Sequence, residues 1–257
     1  MGRKSRLKRE RRALDASIIS PTSPSVQEQQ PELHGQSLIK RWKHTKIPKN
    51  LPSKLYRFFD KKEFADDFVN GKLRISTLET CRNHENKAQG DAEEGYMFNY
   101  IKRIHSSHPR FHEISNRGGI CMVDSENCVI ENNTYTEHIE DAYLLCTTTK
   151  YHPEDFTDDF GSYCVEITDP LKMMEIITQT LHSTSKVTHC KYSEVKYRSR
   201  TFQQEEIIEN LMEFLKPDTD IYMSQNEFRF VWYTEISPIT PINIECGSFS
   251  EFCKIIH

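Results

Sequence analysis

The alternation of apolar and polar residues becomes regular only after about residue 50. Residues 54–59 predict a short strand, and residues 61–70 predict a helix because their apolar positions recur at helical spacing. Residues 72–77 alternate and predict a second strand. Gly71 separates this strand from the helix, and glycine readily adopts the left-handed conformation that ends many helices. The ordered part of the chain is therefore predicted to begin with strand, helix and strand.

The same patterns predict the remaining elements. We expect further strands at residues 96–104, 119–123, 128–131, 142–148, 162–167, 188–197 and 226–233. We expect helices at residues 170–182 and 203–216 and a polar, acidic loop at residues 84–95. Because strands and helices do not alternate regularly, the predicted fold class is α+β, with mixed, largely antiparallel sheets and flanking helices.

Charge is distributed unevenly along the chain. Residues 1–50 carry 12 Lys and Arg against 4 Asp and Glu, whereas the rest of the chain carries 22 against 34. Seven basic residues lie between positions 3 and 12, and the segment after them is rich in Pro, Ser and Gln. Such a segment buries too little apolar surface to offset its ordering entropy. We therefore predict a disordered basic arm and linker at residues 1–48 and one α+β domain at residues 49–257.

The basic cluster at residues 3–12 has two interpretations. Dense Lys and Arg clusters are typical of a contact with RNA or DNA phosphates, and such a contact weakens steeply with salt. The alternative is a tail that only increases solubility. The sequence leaves both interpretations open.

Composition also bears on the cellular setting. The eight cysteines are scattered and form no C-x-x-C pair, which indicates reduced thiols rather than disulfides or a zinc knuckle. No stretch approaches the roughly 18 apolar residues that a membrane span requires, and no apolar segment follows the basic N-terminus. We expect a cytoplasmic protein that has no membrane partner.

Several common catalytic signatures are missing from the sequence. There is no G-x-x-x-x-G-K, G-x-G-x-x-G, G-x-S-x-G or H-E-x-x-H motif, which disfavours P-loop NTPases, Rossmann dehydrogenases, elbow-type serine hydrolases and zincins. The eleven histidines form no cluster with ligand spacing. No metal cofactor is therefore expected.

Three short polar groups fall on or beside predicted strands. Tyr56 and Arg57 lie on the first strand, and Ser76 and Thr77 end the second. The segment 222–227, with the sequence Y-M-S-Q-N-E, leads into the strongest predicted strand at residues 226–233. In this order the groups resemble the Arg–Ser–Glu set of the ADP-ribosyltransferase superfamily, whose members cleave NAD and transfer ADP-ribose.

The resemblance implies a role for each matched residue. Arg57, with Tyr56, is expected to grip NAD, and Ser76 with Thr77 to shape the nicotinamide site. The family's second motif is Ser-Thr-Ser, however, and Leu78 stands where its last serine would be. The stretch also resembles an uncharacterised bacterial family from mobile-element and phage-defence loci.

The resemblance places the catalytic residues where the segment 222–227 enters the late predicted strand. Glu227 matches the catalytic glutamate, and Gln225, two residues earlier, matches the residue that orients the acceptor. Tyr222 matches an aromatic residue that often precedes them. An ADP-ribosyltransferase-like sheet is expected to bring these residues close to Arg57, because one NAD molecule contacts both the arginine and the glutamate of the motif.

The matched residue types suit the chemistry of NAD cleavage. Breaking the bond between nicotinamide and ribose passes through an oxocarbenium-like state, as in glycoside hydrolysis. A carboxylate fixed on a strand, such as that of Glu227, stabilises this positive charge. A guanidinium such as that of Arg57 offers paired, planar donors to a pyrophosphate.

Structural interpretations compete with each of these roles. Arg57 is also explained by an ion pair with an acid, and Ser76-Thr77 is also explained as a helix N-cap. Glu227 and Arg229 are also explained as cross-strand ion pairs. On their own strand, Arg229 shares a face with Glu227, so it is also a candidate substrate contact.

The loop that follows the Ser-Thr strand adds three candidates for substrate contact, which are Arg82, Asp91 and Glu94. The alternative is a solvated acidic loop. A third reading of its carboxylates, with Glu93 included, is a Mg²⁺ site of a nuclease.

Two hypotheses for function result. The first is an NAD-dependent ADP-ribosyltransferase that acts as a toxin-like effector on RNA, DNA or protein and is restrained by an inhibitory, antitoxin-like partner. The second is a non-catalytic module of related fold that binds a nucleotide or nucleic acid.

Overall fold

The structure is a computed structural model, and it describes residues 51–256 except residues 124–125, 157–158, 205 and 207–211. The basic arm predicted at residues 1–48 lies outside the described residues. Within the described part of the chain, no helix combines the length and the apolar character that crossing a membrane requires.

The described residues form thirteen strands and six α-helices. The strands are β1 (Leu55–Phe59), β2 (Lys72–Thr77), β3 (Tyr96–His105), β4 (Val129–His138), β5 (Tyr143–Thr148), β6 (Tyr163–Ile167), β7 (Val187–Glu194), β8 (Lys196–Tyr197), β9 (Thr201–Gln203), β10 (Leu215–Lys216), β11 (Glu227–Thr234), β12 (Ile242–Glu245) and β13 (Cys253–Ile256). The helices are α1 (Lys62–Val69), α2 (Leu78–Arg82), α3 (Phe111–Arg117), α4 (Pro153–Phe156), α5 (Pro170–Ser185) and α6 (Asp220–Met223).

The main sheet has eight strands, and its pairs are antiparallel. One path through it runs β12-β2-β5-β1-β6-β13, and β11 joins β5 to β7. A second sheet has the order β4-β3-β9, and the short strands β8 and β10 form a parallel pair. The predicted α+β class with largely antiparallel sheets is confirmed. Its ADP-ribosyltransferase-like type stays a prediction.

Strand β11 lies at the centre of the core. On one face, the side chains of Phe228, Phe230 and Trp232 are completely buried. The Trp232 indole nitrogen donates a hydrogen bond of 2.7 Å to the hydroxyl of Thr178 on α5. Glu227, Arg229 and Val231 are buried on the opposite face. Because a charged group inside a protein needs compensating partners, this second face requires partners from elsewhere in the chain.

Most of the predicted elements are confirmed to within a few residues. They include the strands at residues 54–59, 72–77, 142–148, 162–167 and 226–233 and the helices at residues 61–70 and 170–182. The predicted strand at 188–197 is present as β7 and β8, and that at 128–131 extends to His138 as β4.

The prediction of a strand at residues 119–123 is wrong. Helix α3 precedes this segment, and Phe111 and Ile114, three residues apart on one helical face, are both buried. Gly119 then adopts a left-handed φ of +72°, which stops the helix. No regular element follows at residues 119–123.

The predicted helix at residues 203–216 is also wrong where the structure describes it. Met212–Phe214 is a single 3-10 turn, and Leu215–Lys216 is strand β10. Phe214 packs with the cluster around Val231, whereas Leu215 packs with a different cluster around Met97. Consecutive residues that are buried on opposite sides fit a strand rather than a helix. Ile207, Ile208 and Leu211, which are apolar residues of the same predicted helix, lie outside the described residues.

We predict that Gly71→Ala destabilises the protein more than Gly119→Ala. Both glycines have a left-handed φ, of +77° and +72°, so alanine carries a similar backbone penalty of about 1 kcal/mol at each. A Cβ at Gly71 would lie 2.3 Å from the carbonyl oxygen of Gly247, whereas a Cβ at Gly119 meets no atom within 4 Å. The overpacking should add about 1–3 kcal/mol.

Urea unfolding of the two variants measures this difference through the transition midpoints at an unchanged m-value. Equal loss of stability in both variants would contradict the close packing of Gly71 against Gly247.

Candidate functional site

One edge of β5 is shared by two strands that diverge from each other. β1 pairs with β5 only at Tyr56↔Thr148, and β2 pairs with it at Ser76↔Leu144 and Thr77↔Tyr143. β1 then continues along β6, and β2 lies along β12. Residues 145–147 of β5 therefore have no strand partner on this edge, and the main sheet splits there.

A cleft with a volume of about 550 Å³ lies at this split. That volume falls in the range of small-molecule sites. Seven of the residues singled out from the sequence line the cleft, and they are Tyr56, Arg57, Ser76, Glu94, Gln225, Glu227 and Arg229. The structure thus brings the guanidinium, the hydroxyl and the carboxylate of the predicted motif into one cavity, although they are far apart in the chain.

Arg57 extends from β1 into the split and is half-buried. Its Nη1 donates a hydrogen bond to the unpaired carbonyl of Cys146 on β5. The guanidinium also lies against the rings of Phe59 and Phe68, at 5.4 and 5.9 Å from their centroids. Burial lowers the pKa of Arg57, because a charge in a low-dielectric surrounding is disfavoured. Within the described residues, no carboxylate pairs with this charge.

Arg229 is the centre of a buried ionic network. It forms paired hydrogen bonds of 2.6 and 2.9 Å to the two carboxylate oxygens of Glu94. Its Nε donates to Glu227 at 2.7 Å, and its Nη1 donates to the carbonyl of Glu213 at 2.8 Å. The side chains of Arg229, Glu94 and Glu227 are at most 6 % exposed. Each of these buried charges is therefore paired with an opposite charge from the protein, because water does not reach it.

Lys216 belongs to the same network but was not predicted from the sequence. Its ammonium lies 2.9 Å from Glu227 Oε2 and donates to Gln225 Oε1 at 3.2 Å. Burial opposes the charge of Lys216, but the negative charges of Glu227 and Glu94 together raise its pKa. The signal that could have revealed this position is Pro217, because a residue before proline favours the extended conformation over a helix.

Glu227 is held in its ionised form. Burial alone would raise the pKa of its carboxyl group, but the charges of Arg229 and Lys216 hold it well below the ordinary value. The backbone of Glu227 is fixed as well, because its N–H donates to Tyr197 Oη at 2.8 Å. Tyr197 pairs with Lys216 in the β8–β10 ladder, so one short ladder holds both the backbone and the side chain of Glu227.

Ser76 and Thr77 point to opposite sides of β2. Ser76 is half-buried and lines the cleft. Thr77 is buried, and its hydroxyl accepts a hydrogen bond of 3.2 Å from Thr80 N. Thr77 is thus the N-cap of α2, as the structural interpretation of this dipeptide proposed. Capping of α2 therefore explains the presence of Thr77 at the end of the strand, and no ligand contact is needed to explain it.

Gln225 lines the cleft, but both N–H donors of its amide group are engaged by the protein. Its Nε2 donates to the carbonyls of Ala88 and Ile221, at 2.7 and 3.1 Å, and its Oε1 accepts from Lys216. These contacts tie the turn before β11 to the loop after α2. The amide nitrogen of Gln225 can donate to an acceptor molecule only after one of these bonds breaks, whereas its oxygen keeps a second lone pair.

Tyr222, Arg82 and Asp91 do not line the cleft but support its wall from behind. Tyr222 donates to the carbonyl of Gly90 at 2.9 Å, and Arg82 Nε donates to the carbonyl of Glu94 at 2.7 Å. Asp91 is buried and accepts from Arg200 Nη1 at 3.0 Å. The loop between α2 and β3 is thus clamped by buried contacts, and its acidic residues are not simply solvated.

The acidic loop has no arrangement suited to Mg²⁺. Asp91 pairs with Arg200 and Glu94 pairs with Arg229, whereas the side chain of Glu93 is 57 % exposed. Across the described residues, no group of three or more His, Cys, Asp or Glu side chains is placed to hold a metal ion.

Aromatic residues line the cleft on the side of β1. Tyr56, Phe58, Phe156 and Phe160 all border it, and the rings of Phe58 and Phe156 stack with centroids 4.5 Å apart. Together with the charges at the split, these rings make the cleft amphipathic. An aromatic ring attached to a phosphate is the kind of ligand that such a surface can bind.

Comparison of the chain with models of known protein families, with curated proteins and with solved structures yields no match.

We predict that Glu227→Gln lowers the free energy of unfolding at pH 7 by about 3–5 kcal/mol, because it removes one charge from a buried network and leaves Arg229 and Lys216 undercompensated. The folded-state pKa of Glu227 is depressed, so its stabilisation is present above the unfolded value of about 4.3 and is lost as the pH falls. The difference between wild type and variant should therefore shrink below about pH 4.

The measurement is urea unfolding between pH 3 and pH 7, with Glu113→Gln as the control. The pKa of Glu113 is also lowered, by its hydrogen bond to Arg110, but this carboxylate is exposed, so its removal should change stability little. A difference for Glu227→Gln that is constant across the pH range would contradict a charge-based role.

Proposed function

We propose that this protein is an NAD-dependent ADP-ribosyltransferase. The observation that supports it most is the convergence of Arg57, Ser76 and Glu227 on one cleft at the split of the main sheet. Side chains of these three types, on an early strand, the next strand and a late strand, match the Arg–Ser–Glu set in kind and in order. These three residues lie on different strands, β1, β2 and β11, so their proximity does not result from closeness in the sequence.

In this proposal Arg57 binds the pyrophosphate of NAD. Among the described residues, the fully buried cations are paired with acids, as Arg229 is with Glu94 and Arg200 is with Asp91. The guanidinium of Arg57 donates to a backbone carbonyl, and among the described residues no acid forms an ion pair with it. An anionic ligand supplies the missing charge, and a guanidinium binds phosphate oxygens through charge-assisted hydrogen bonds.

Glu227 stabilises the oxocarbenium-like ribose that forms when nicotinamide leaves. Its carboxylate stays ionised at neutral pH, so it acts through its charge and through hydrogen bonds to ribose hydroxyls rather than as a general acid. The rigid start of β11 keeps this charge in place during the reaction. Ser76 and the rings of Tyr56 and Phe58 supply a polar and an aromatic contact for the nicotinamide and its ribose.

The basic N-terminal residues bear on the proposed acceptor. The seven basic residues between positions 3 and 12 suit an RNA or DNA acceptor, and a protein acceptor is the alternative. An enzyme of this kind would act as a toxin-like effector, for example in phage defence, and would require an inhibitory, antitoxin-like partner in its own cytoplasm.

One observation favours a second candidate function, a non-catalytic nucleotide-binding module. Glu227 accepts hydrogen bonds from Arg229 through both carboxylate oxygens and lies 2.9 Å from the Lys216 ammonium. A carboxylate so fully engaged has little charge left for a ribose. Under this hypothesis the cleft binds a nucleotide and Glu227 only holds the wall together.

Incubation of the full chain with NAD labelled in the adenylate part separates the two candidates. An ADP-ribosyltransferase should consume NAD and transfer label to RNA, DNA or protein, and Glu227→Gln should lower the rate at least about 100-fold. The matched control is Glu245→Gln, which removes the same charge from an exposed position on β12 and should leave the rate unchanged.

Binding of ADP-ribose by wild type without NAD consumption or label transfer would contradict the enzymatic proposal and support the module. A folded Glu227→Gln variant with full activity would contradict the role of Glu227, and circular dichroism establishes whether the variant is folded.

We predict that deletion of residues 1–12 weakens binding to single-stranded RNA or DNA at least tenfold at about 50 mM salt and much less at 500 mM, because released counterions drive such contacts. Fluorescence anisotropy with labelled oligonucleotides measures the effect. NAD consumption in the absence of an acceptor should be unaffected. Unchanged oligonucleotide binding after the deletion would identify the arm as a tail without this role.

A further inference from the structure

A second arginine borders the split of the main sheet. Arg74 lies on β2 two residues before Ser76, on the same face of the strand, because side chains alternate along a strand. It is exposed and lines the same cleft as Arg57. The resemblance that singled out Arg57 and Ser76 assigns no role to this position.

The strand registers place the two arginines at nearly the same level of β5. Arg57 is one residue beyond the pair Tyr56↔Thr148, which puts it level with residue 147. Arg74 is two residues before the pair Ser76↔Leu144, which puts it level with residue 146. One residue of β5 corresponds to about 3.3 Å along the strand. The two arginines therefore flank the same gap, one from each diverging strand.

Among the described residues, neither guanidinium forms an ion pair with an acid. The ion pairs in the cleft wall are those of Arg229 and Lys216. The hydroxyl of Ser76, which lies between Arg74 and the shared edge of β5, likewise makes no hydrogen bond within the described residues. The split thus presents to the cavity two guanidinium groups without an ion pair and a free hydroxyl, while the carboxylates of Asp60 and Asp159 border the same cavity.

We propose that Arg74 is a second phosphate-binding residue of the cleft and that, with Arg57, it selects ligands carrying two linked phosphates over ligands carrying one. Each guanidinium can take one phosphate through paired hydrogen bonds. Two positive charges match the two negative charges of a diphosphate diester, which is the bridge in dinucleotides and in ADP-ribose. This inference rests on the proposed function only in assigning the ligand to the same cleft.

The test is isothermal titration calorimetry of the full chain with ADP-ribose and with AMP. Wild type should bind ADP-ribose at least tenfold more tightly than AMP. Arg74→Ala should weaken ADP-ribose binding at least tenfold and AMP binding less than twofold. The matched control is Lys72→Ala. Lys72 is exposed on the same face of β2 as Arg74 but does not line the cleft, so its removal should change neither affinity more than twofold.

Equal affinities of wild type for ADP-ribose and AMP overturn the inference, as does an equal effect of Arg74→Ala and Lys72→Ala. Turnover of NAD on the same preparations separates this inference from the proposed function. NAD consumption with a KM that Arg74→Ala leaves unaltered refutes the role of Arg74 alone. Arg74-dependent binding of ADP-ribose without any NAD consumption refutes the transferase alone and leaves the diphosphate site in place.

Discussion

The buried interaction of Arg229 with Glu94 and Glu227 is the constraint on which the site depends. Arg229 lies in the central strand β11, where a lone cation would be strongly unfavourable. Its pairing with Glu94 fixes the loop after α2 to the sheet, and its pairing with Glu227 fixes the carboxylate at the start of β11. Lys216 adds a second cation beside Glu227. One wall of the cleft is therefore built from charge rather than from apolar packing.

The opposite wall arises from the divergence of two strands. β1 and β2 share one edge of β5 and then turn to different partners, which leaves unpaired backbone and a cavity between them. Arg57 satisfies one of the exposed carbonyls, so it contributes to the fold as well as to the proposed binding of phosphate. The two walls together place a compensated carboxylate opposite an uncompensated cation. The uncompensated cation suits a ligand with an anionic bridge.

Sequence patterns predicted the elements in which a single periodicity dominates. Strand β11 and helix α5 are of this kind, because alternating aromatic residues and a proline-initiated apolar stripe mark them clearly. The patterns could not show that Glu227 and Arg229 are buried, since charged residues at alternate positions normally indicate a solvated face. Their partners Glu94 and Lys216 come from distant segments. Lys216 was not predicted as a partner because its segment was predicted to be a helix. The meeting of Arg57, Ser76 and Glu227 in one cleft was implied only by the family resemblance. The capping role of Thr77 was one of two interpretations that only the structure could separate.

A crystal structure of the full chain with ADP-ribose tests the central claim most directly. We expect the diphosphate to lie in the split between β1 and β2 within hydrogen-bond distance of Arg57, with the terminal ribose directed towards Glu227. A ligand bound elsewhere on the protein would contradict it. So would a structure in which Arg57 and Glu227 face different cavities.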